Sequence, residues 1–103
     1  MKIVVCNDER HIVRLFKVNL ERQGHEVHTV YNGPDCLKKV REVWPELLVL
    51  DRHMPGMSGD EVATELRRHP DTRDLKVVFL DENQDHDDSF PGSPLRRFLG
   101  YQS

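Results

Sequence analysis

The chain lacks a surplus of positive charge, a long apolar run and the cysteines of a disulfide framework. Lys and Arg total 15 of 103 residues against 18 Asp and Glu, so a protein that binds nucleic acid through bulk charge is excluded. No apolar run approaches the roughly 20 residues of a membrane span, and no basic leader or cleavage site precedes the first apolar run. Its two cysteines, Cys6 and Cys36, fit a reducing compartment. We therefore expect one cytoplasmic domain over residues 1–103 that binds neither nucleic acid nor membrane.

The chain does contain short apolar runs that alternate with amphipathic segments. Three unbroken runs are typical of parallel strands buried on both faces, and a looser alternation predicts an edge strand. These four predicted strands cover residues 3–6, 26–30, 47–50 and 77–80. The helices predicted between them cover residues 9–23, 34–44 and 60–69. Strands alternating with helices of this length form right-handed βαβ units, so the fold class is α/β with a doubly wound parallel sheet.

Each predicted helix carries apolar residues three and four positions apart, which should face the sheet. These inward residues are Ile12, Leu15, Phe16, Leu20, Leu37, Val40, Trp44, Val62, Ala63 and Leu66. The alternation stops after residue 80, where five of the next eight residues are acidic. Residues 95–103 carry apolar side chains but are too few to distinguish a strand from a helix.

Three aspartates follow predicted strands. Asp8 lies just beyond the first strand, Asp51 ends the third and Asp81 follows the fourth. Because the carboxyl ends of parallel strands open onto one crevice, these carboxylates would converge. Such hard oxygen ligands suit Mg²⁺, which a phosphate often completes. Any one of them could simply be a surface turn residue, but the three together favour a magnesium site.

Two motifs at this edge resemble those of response-regulator receiver domains. Residues 48–59, which contain Asp51, resemble the family's phospho-acceptor strand and loop, and residues 2–9 resemble its first strand and acidic pocket. The resemblance extends in register over residues 2–80. It implies a flavodoxin-like fold with strand order 2-1-3-4-5, altered after the fourth strand and without the last helix.

The resemblance also implies a function for the aspartates. Asp51 would accept a phosphoryl group from a histidine kinase or phosphotransfer protein, and Asp8, Asp51 and the backbone carbonyl of His53 would ligate Mg²⁺. The ion would neutralise charge on the phosphoryl oxygens while the carboxylate attacks in line. Such a domain is not an enzyme beyond catalysing its own phosphorylation and dephosphorylation.

Three positions depart from the family pattern. Asn7 replaces an aspartate of the acidic pocket and should weaken Mg²⁺ binding. Asp81 stands where a Ser or Thr contacts the phosphoryl group, and Tyr101 stands at the position of a lysine. Two interpretations stay open: a working receiver with atypical switching and output, or a pseudo-receiver that binds proteins independently of phosphorylation.

Other classes fit the sequence poorly. A phosphatase of the haloacid-dehalogenase type needs Asp-x-Asp after the first strand, where this chain has Asn7-Asp8-Glu9. A flavodoxin-like cofactor binder needs a phosphate loop rich in Ser, Thr and Gly there. The absence of a last helix would leave one sheet face covered by the first helix alone. We therefore predict a homodimer or an output partner on that face, unless residues 95–103 fold over it.

Overall fold

The computed structural model describes residues 1–80. Four strands and three helices alternate along them, as the sequence predicted. The elements are β1 (Lys2–Cys6), α1 (Arg10–Arg22), β2 (Glu26–Val30), α2 (Gly33–Val43), β3 (Leu47–Asp51), α3 (Gly59–Arg67) and β4 (Lys76–Leu80). The predictions for a fifth strand, a missing last helix, Asp81 and Tyr101 all lie outside the described residues.

The four strands form one parallel sheet in the order β2-β1-β3-β4. This confirms the doubly wound, flavodoxin-like fold and the first four positions of the predicted order. β1 and β3 are the central neighbours, and their register pairs Cys6 with Leu50. The residues that follow β1 therefore lie beside the end of β3, at the carboxyl edge of the sheet.

The helices cover both faces of the sheet and divide the interior into two cores. α1 packs on one face, and the buried members of that core are Ile3, Val5, Val13, Leu20, Val27, Leu47 and Val49. α2 and α3 pack on the opposite face. The buried members there are Val4, Cys6, Val30, Cys36, Val40, Leu48, Leu50, Met54, Val62 and Leu66. Burial of these apolar side chains is the main favourable term that holds the fold together.

The structure corrects two predicted helix faces. Leu15 is 59% exposed, and Val13 takes the inward position on α1 instead. Trp44 is 52% exposed, because it is the C-cap of α2 in the left-handed conformation, with φ of 50°. This conformation ends the helix one residue before Trp44 and takes its side chain off the apolar stripe.

The strand predictions hold with one correction. β2 pairs with β1 alone within residues 1–80, which agrees with the predicted edge strand. Residues 77–80 are only half-buried, whereas the unbroken apolar run predicted burial on both faces. Within the described sheet, β4 has a neighbour on one side only, so its side chains have fewer packing partners than those of β3.

No helix within residues 1–80 combines the length and the apolar character needed to cross a membrane. α1 covers its sheet face as the sole helix of the described residues. The homodimer or output partner expected on that face stays a prediction.

Candidate functional site

The candidate site lies at the carboxyl edge of the two central strands. Asp51 is the last residue of β3, and Asn7 and Asp8 follow directly after β1. Two of the predicted site residues, Asp8 and Asp51, lie close enough together for Asp8 to raise the pKa of the Asp51 carboxyl. The sequence argument from strand ends therefore placed this pair correctly.

The environment of Asp51 favours its neutral form. Burial raises the pKa of the Asp51 carboxyl above its usual value, and the charge of Asp8 raises it further. A hydrogen bond from the His53 backbone N–H to Asp51 Oδ1, at 3.2 Å, acts in the opposite direction and lowers the pKa. Two neighbouring carboxylates repel each other, so a bound cation would stabilise the site.

Asn7 shapes the turn from β1 into α1. Its side chain is 5% exposed, and its backbone N–H donates to the Val30 carbonyl at 3.2 Å. Its Oδ1 accepts a hydrogen bond from the Glu9 N–H at 3.0 Å. The amide oxygen thus has a partner in the backbone, while the Asp8 side chain beside it is exposed.

The loop between β3 and α3 is closed by backbone contacts around Asp51. The Gly59 N–H donates to the Arg52 carbonyl at 3.0 Å, and a Cβ on Gly59 would collide with the Asp51 carbonyl oxygen. Gly56 turns the loop with φ of 79°, a conformation that favours glycine. Met54 anchors it in the core with 7% exposure.

The helix after this loop begins with a complete capping box. Ser58 Oγ accepts from the Glu61 N–H, and the Glu61 carboxylate accepts from the Ser58 N–H. Such a cap contributes about 1 kcal/mol and fixes the position at which the helix starts. The start of α3 in turn fixes Gly59 against the Asp51 backbone.

Arg52 is a site neighbour that the sequence argument missed. Its guanidinium lies 4.1 Å from the centre of the Phe79 ring, and its Nη1 is 2.7 Å from Asp60 Oδ1. Arg52 therefore links the end of β3, the first turn of α3 and β4 beside the acidic pair. The available signal was a cation directly after Asp51 with acidic residues at the next helix start.

The remaining predicted site residues are placed as follows. His53 is exposed, with its N–H on Asp51, while Asp81 and Tyr101 lie outside the described residues. Within residues 1–80 no three His, Cys, Asp or Glu side chains form a metal cluster. The neighbouring Asp8 and Asp51 carboxylates nevertheless fit Mg²⁺, which is bound by one or two carboxylates and keeps several waters.

The fold is thus a doubly wound parallel α/β domain with two carboxylates close together at the ends of its central strands. Comparison with known proteins identifies the family to which this domain belongs. The profile of the response regulator receiver domain matches residues 3–91. The chain belongs to this family, whose members serve two-component systems as regulators rather than as enzymes in the usual sense.

Individual relatives agree with this assignment. The chain is 39% identical over 79 residues to the phosphate regulon transcriptional regulatory protein PhoB of Rhizobium meliloti, covering 77% of this chain and 35% of the relative. It is 45% identical over 67 residues to the alkaline phosphatase synthesis transcriptional regulatory protein PhoP of Bacillus subtilis, covering 65% and 28%. The chain thus spans about a third of the length of the curated relatives that it matches.

A solved structure supports the same fold. The N-terminal domain of a response regulator receiver protein from Methanoculleus marisnigri superposes with a TM-score of 0.74 at 30% identity. The superposition covers 85% of this chain and 76% of that one.

Proposed function

We propose that residues 1–103 form a single cytoplasmic receiver-like domain in which Asp51 accepts a phosphoryl group from a histidine kinase or phosphotransfer protein. The observation that carries this proposal is the proximity of Asp8 to Asp51 at the ends of the central strands. The family assignment supports it, because receiver domains interact with such donors. The free, buried thiols of Cys6 and Cys36 support the reducing compartment.

The transfer is assigned to the Asp51 carboxylate. The His53 N–H holds Asp51 Oδ1, which leaves Oδ2 as the attacking atom. The bond from Oδ2 to phosphorus forms as the bond from phosphorus to the donor histidine breaks, and the histidine nitrogen retains the electron pair and takes a proton. Asp51 must be ionised for this attack, so its raised pKa sets the acidic limit of the reaction.

Asp8, Asp51 and the backbone carbonyl of His53 are the proposed ligands of Mg²⁺. When bound, Mg²⁺ would neutralise charge on the transferring phosphoryl oxygens. Asn7 contributes no charge, and its side-chain oxygen already accepts from the Glu9 N–H. We therefore expect Mg²⁺ to bind weakly.

The exposed face of α1 is the proposed docking surface for the phosphoryl donor. α1 begins at Arg10, two residues after Asp8, so this face adjoins the site. Leu15 and Val18 are 59% and 41% exposed. They share one exposed face of α1 with His11, Arg14, Asn19 and Arg22. Two apolar side chains with basic groups around them fit an apolar donor surface that is edged by acidic residues.

The test is the intact mass of the chain after incubation with Mg²⁺ and acetyl phosphate. We expect the parent chain to gain one phosphoryl group and Asp51→Asn to gain none. Asp71→Asn, which alters an exposed aspartate after α3, is the matched control and should behave like the parent. Absence of any gain, together with failure to bind beryllofluoride, would contradict the proposal.

A second candidate function is a pseudo-receiver that binds protein partners independently of phosphorylation. The position of Asn7 favours it, because the pocket has lost a charge and the remaining amide oxygen serves the backbone. A chain that captures its partner equally well as parent and as Asp51→Asn would support this alternative. Atypical switching through positions 81 and 101 remains part of the first proposal.

A further inference from the structure

Arg52 is held at the end of β3 by contacts of both its backbone and its side chain. Its N–H donates to the Leu80 carbonyl at 3.3 Å, and its carbonyl accepts from the Gly59 N–H at 3.0 Å. Its Nη1 lies 2.7 Å from Asp60 Oδ1, and its guanidinium lies 4.1 Å from the centre of the Phe79 ring. Arg52 is therefore fixed to the start of α3 and to the end of β4 at once.

The two side-chain contacts of Arg52 restrain it together. The Arg52 and Asp60 side chains are 31% and 58% exposed, so solvent screens the ion pair and it would hold little by itself. The planar guanidinium can lie over an aromatic ring while its N–H groups donate in its plane to a carboxylate. Stacking on Phe79 therefore adds a second restraint, and the two contacts hold the side chain in one geometry.

The peptide unit that follows Arg52 orients the carboxyl group of Asp51. The His53 N–H donates to Asp51 Oδ1 at 3.2 Å. This N–H and the Arg52 carbonyl belong to one planar peptide unit, and the carbonyl oxygen of that unit is the atom that accepts from the Gly59 N–H. The position of this plane therefore determines the direction in which the His53 N–H points at Asp51.

We propose that Arg52 is a positioning residue for the phosphorylation of Asp51. Its guanidinium, held by Asp60 and Phe79, fixes the peptide unit that leads to His53. The His53 N–H in turn holds Asp51 Oδ1, so that Oδ2 faces the phosphoryl donor. This inference rests on the proposed function, and it adds a residue that acts through the His53 peptide without touching the phosphoryl group.

The test compares Arg52→Met with the parent chain in two measurements. Methionine keeps an unbranched apolar side chain against Phe79 but removes the cation and the ion pair. We expect the maximum rate of phosphorylation by acetyl phosphate with Mg²⁺ to fall on the order of tenfold, because misplaced reacting groups are costly. The acetyl phosphate concentration that gives half of that rate should not change. By NMR, the His53 amide proton should exchange with water faster, because a hydrogen-bonded amide is protected.

Arg52→Lys and Arg67→Met are the matched controls. Lysine keeps a cation that can pair with Asp60 and lie over the Phe79 ring, so this variant should recover part of the parental rate and of the His53 amide protection. Arg67→Met makes the same change at the other end of α3, where Arg67 Nη1 donates to two backbone carbonyls of the loop before β4. It should match the parent in both measurements, and circular dichroism should show that all three variants are folded.

Three results would overturn the proposal. One is an Arg52→Met variant with the parental rate and the parental His53 amide exchange. Another is a slowed Arg52→Met variant whose His53 amide stays as protected as in the parent, because the charge of Arg52 would then act without positioning. The third is an equal change in Arg67→Met, which would reflect a general loosening of α3. A parent chain that takes up no phosphoryl group would contradict the proposed function instead, and exchange of the His53 amide would still report whether Arg52 holds that peptide unit.

Discussion

At the scale of single residues, Asp51 occupies an electrostatically unfavourable position. Its carboxyl group is partly buried and lies near that of Asp8, and one backbone N–H from His53 offsets only part of the cost. Perturbed carboxyl groups of this kind are common at functional sites, which agrees with the proposed role of Asp51.

Replacement of Asp51 by asparagine is expected to stabilise the domain at neutral pH. The raised pKa means that the folded state binds the Asp51 proton more tightly than the unfolded chain does. The stability contributed by the neutral carboxyl is present in acid and is lost as the pH rises through the folded-state pKa. At pH 7 the ionised group is thus a cost, which Asn removes while it keeps an acceptor for His53.

We expect a gain of about 0.5–1 kcal/mol after solvent screening, or roughly 2–8 °C in Tm. Thermal unfolding of parent and variant from pH 7 downward measures it, and the difference should vanish below about pH 4. A variant that is less stable than the parent at pH 7, or a difference that grows in acid, would contradict the assignment.

The residues of the site differ in how far sequence alone could place them. Asp8 and Asp51 were predictable because each follows a strand, and strand ends in a parallel sheet share one edge. The contacts of Arg52 could not be predicted from sequence, because they depend on the register of Phe79 in β4 and on where α3 begins. The roles of Asp81 and Tyr101 stay predictions.

At the scale of elements, the junction of β3 and α3 joins a strand end to a helix start with little space between them. Gly59 is the closest point, since its Cα faces the backbone of Asp51 and Arg52. The capping box at Ser58 holds the helix in that position.

Gly59→Ala is expected to destabilise the domain although alanine favours helices. The helix propensity gain is about 1 kcal/mol at most. The new Cβ would overlap the Asp51 carbonyl oxygen and lie 2.8 Å from the Arg52 Cα, and backbone atoms cannot move aside as a flexible side chain does. Overpacking of this kind costs typically 1–3 kcal/mol, so a net loss of about 1–2 kcal/mol follows.

Urea unfolding measures this loss, with Thr64→Ala, an exposed position in the same helix, as the control. Because the collision acts on the Asp51 backbone, phosphorylation by acetyl phosphate should also slow in Gly59→Ala. A variant as stable as the parent would show that the junction has more room than described.

The helix faces show where pattern reading reaches its limit. In α1 both Val13 and Leu15 lie three or four residues from other apolar residues, so the sequence pattern permits two overlapping apolar faces. The sheet selects the stripe of Val13 and Leu20, which are 1% and 0% exposed. For Trp44 the deciding factor was the left-handed C-cap, which a hydrophobic pattern does not encode.

A pair of substitutions in α1 tests this correction. Leu15→Ser should change the free energy of unfolding by no more than about 0.5 kcal/mol, as is usual for exposed positions. Val13→Ala should cost roughly 1–3 kcal/mol because it opens a cavity against β1. Urea midpoints give both values, and a larger loss for Leu15→Ser than for Val13→Ala would reverse the assignment of the faces.

At the scale of the whole molecule, the acidic site and the exposed face of α1 adjoin each other on one side of the domain. The α1 face around Leu15 and Val18 carries basic groups, whereas the site is acidic. Under the proposed function, a protein donor contacts both surfaces, whereas a small phosphoryl donor contacts the site alone.

The double variant Arg14→Glu, Leu15→Ser is therefore expected to slow phosphoryl transfer from a phosphohistidine protein on the order of tenfold or more, since it reverses one charge and removes an apolar contact. Phosphorylation by acetyl phosphate should stay at the parental rate. Arg73→Glu, which changes an exposed arginine between α3 and β4, serves as the control. Equal slowing with both donors would place the defect in the site rather than in docking.

The division of the interior into two cores by the sheet has a consequence for how this domain tolerates change. Side chains beneath α1 and side chains beneath α2 and α3 share no cluster, and effects of substitutions without shared partners generally add. Variation beneath α1 can thus alter that helix without epistasis from the core beneath α2 and α3. The two faces of this receiver can diverge as nearly independent evolutionary units, joined only by the strands between them.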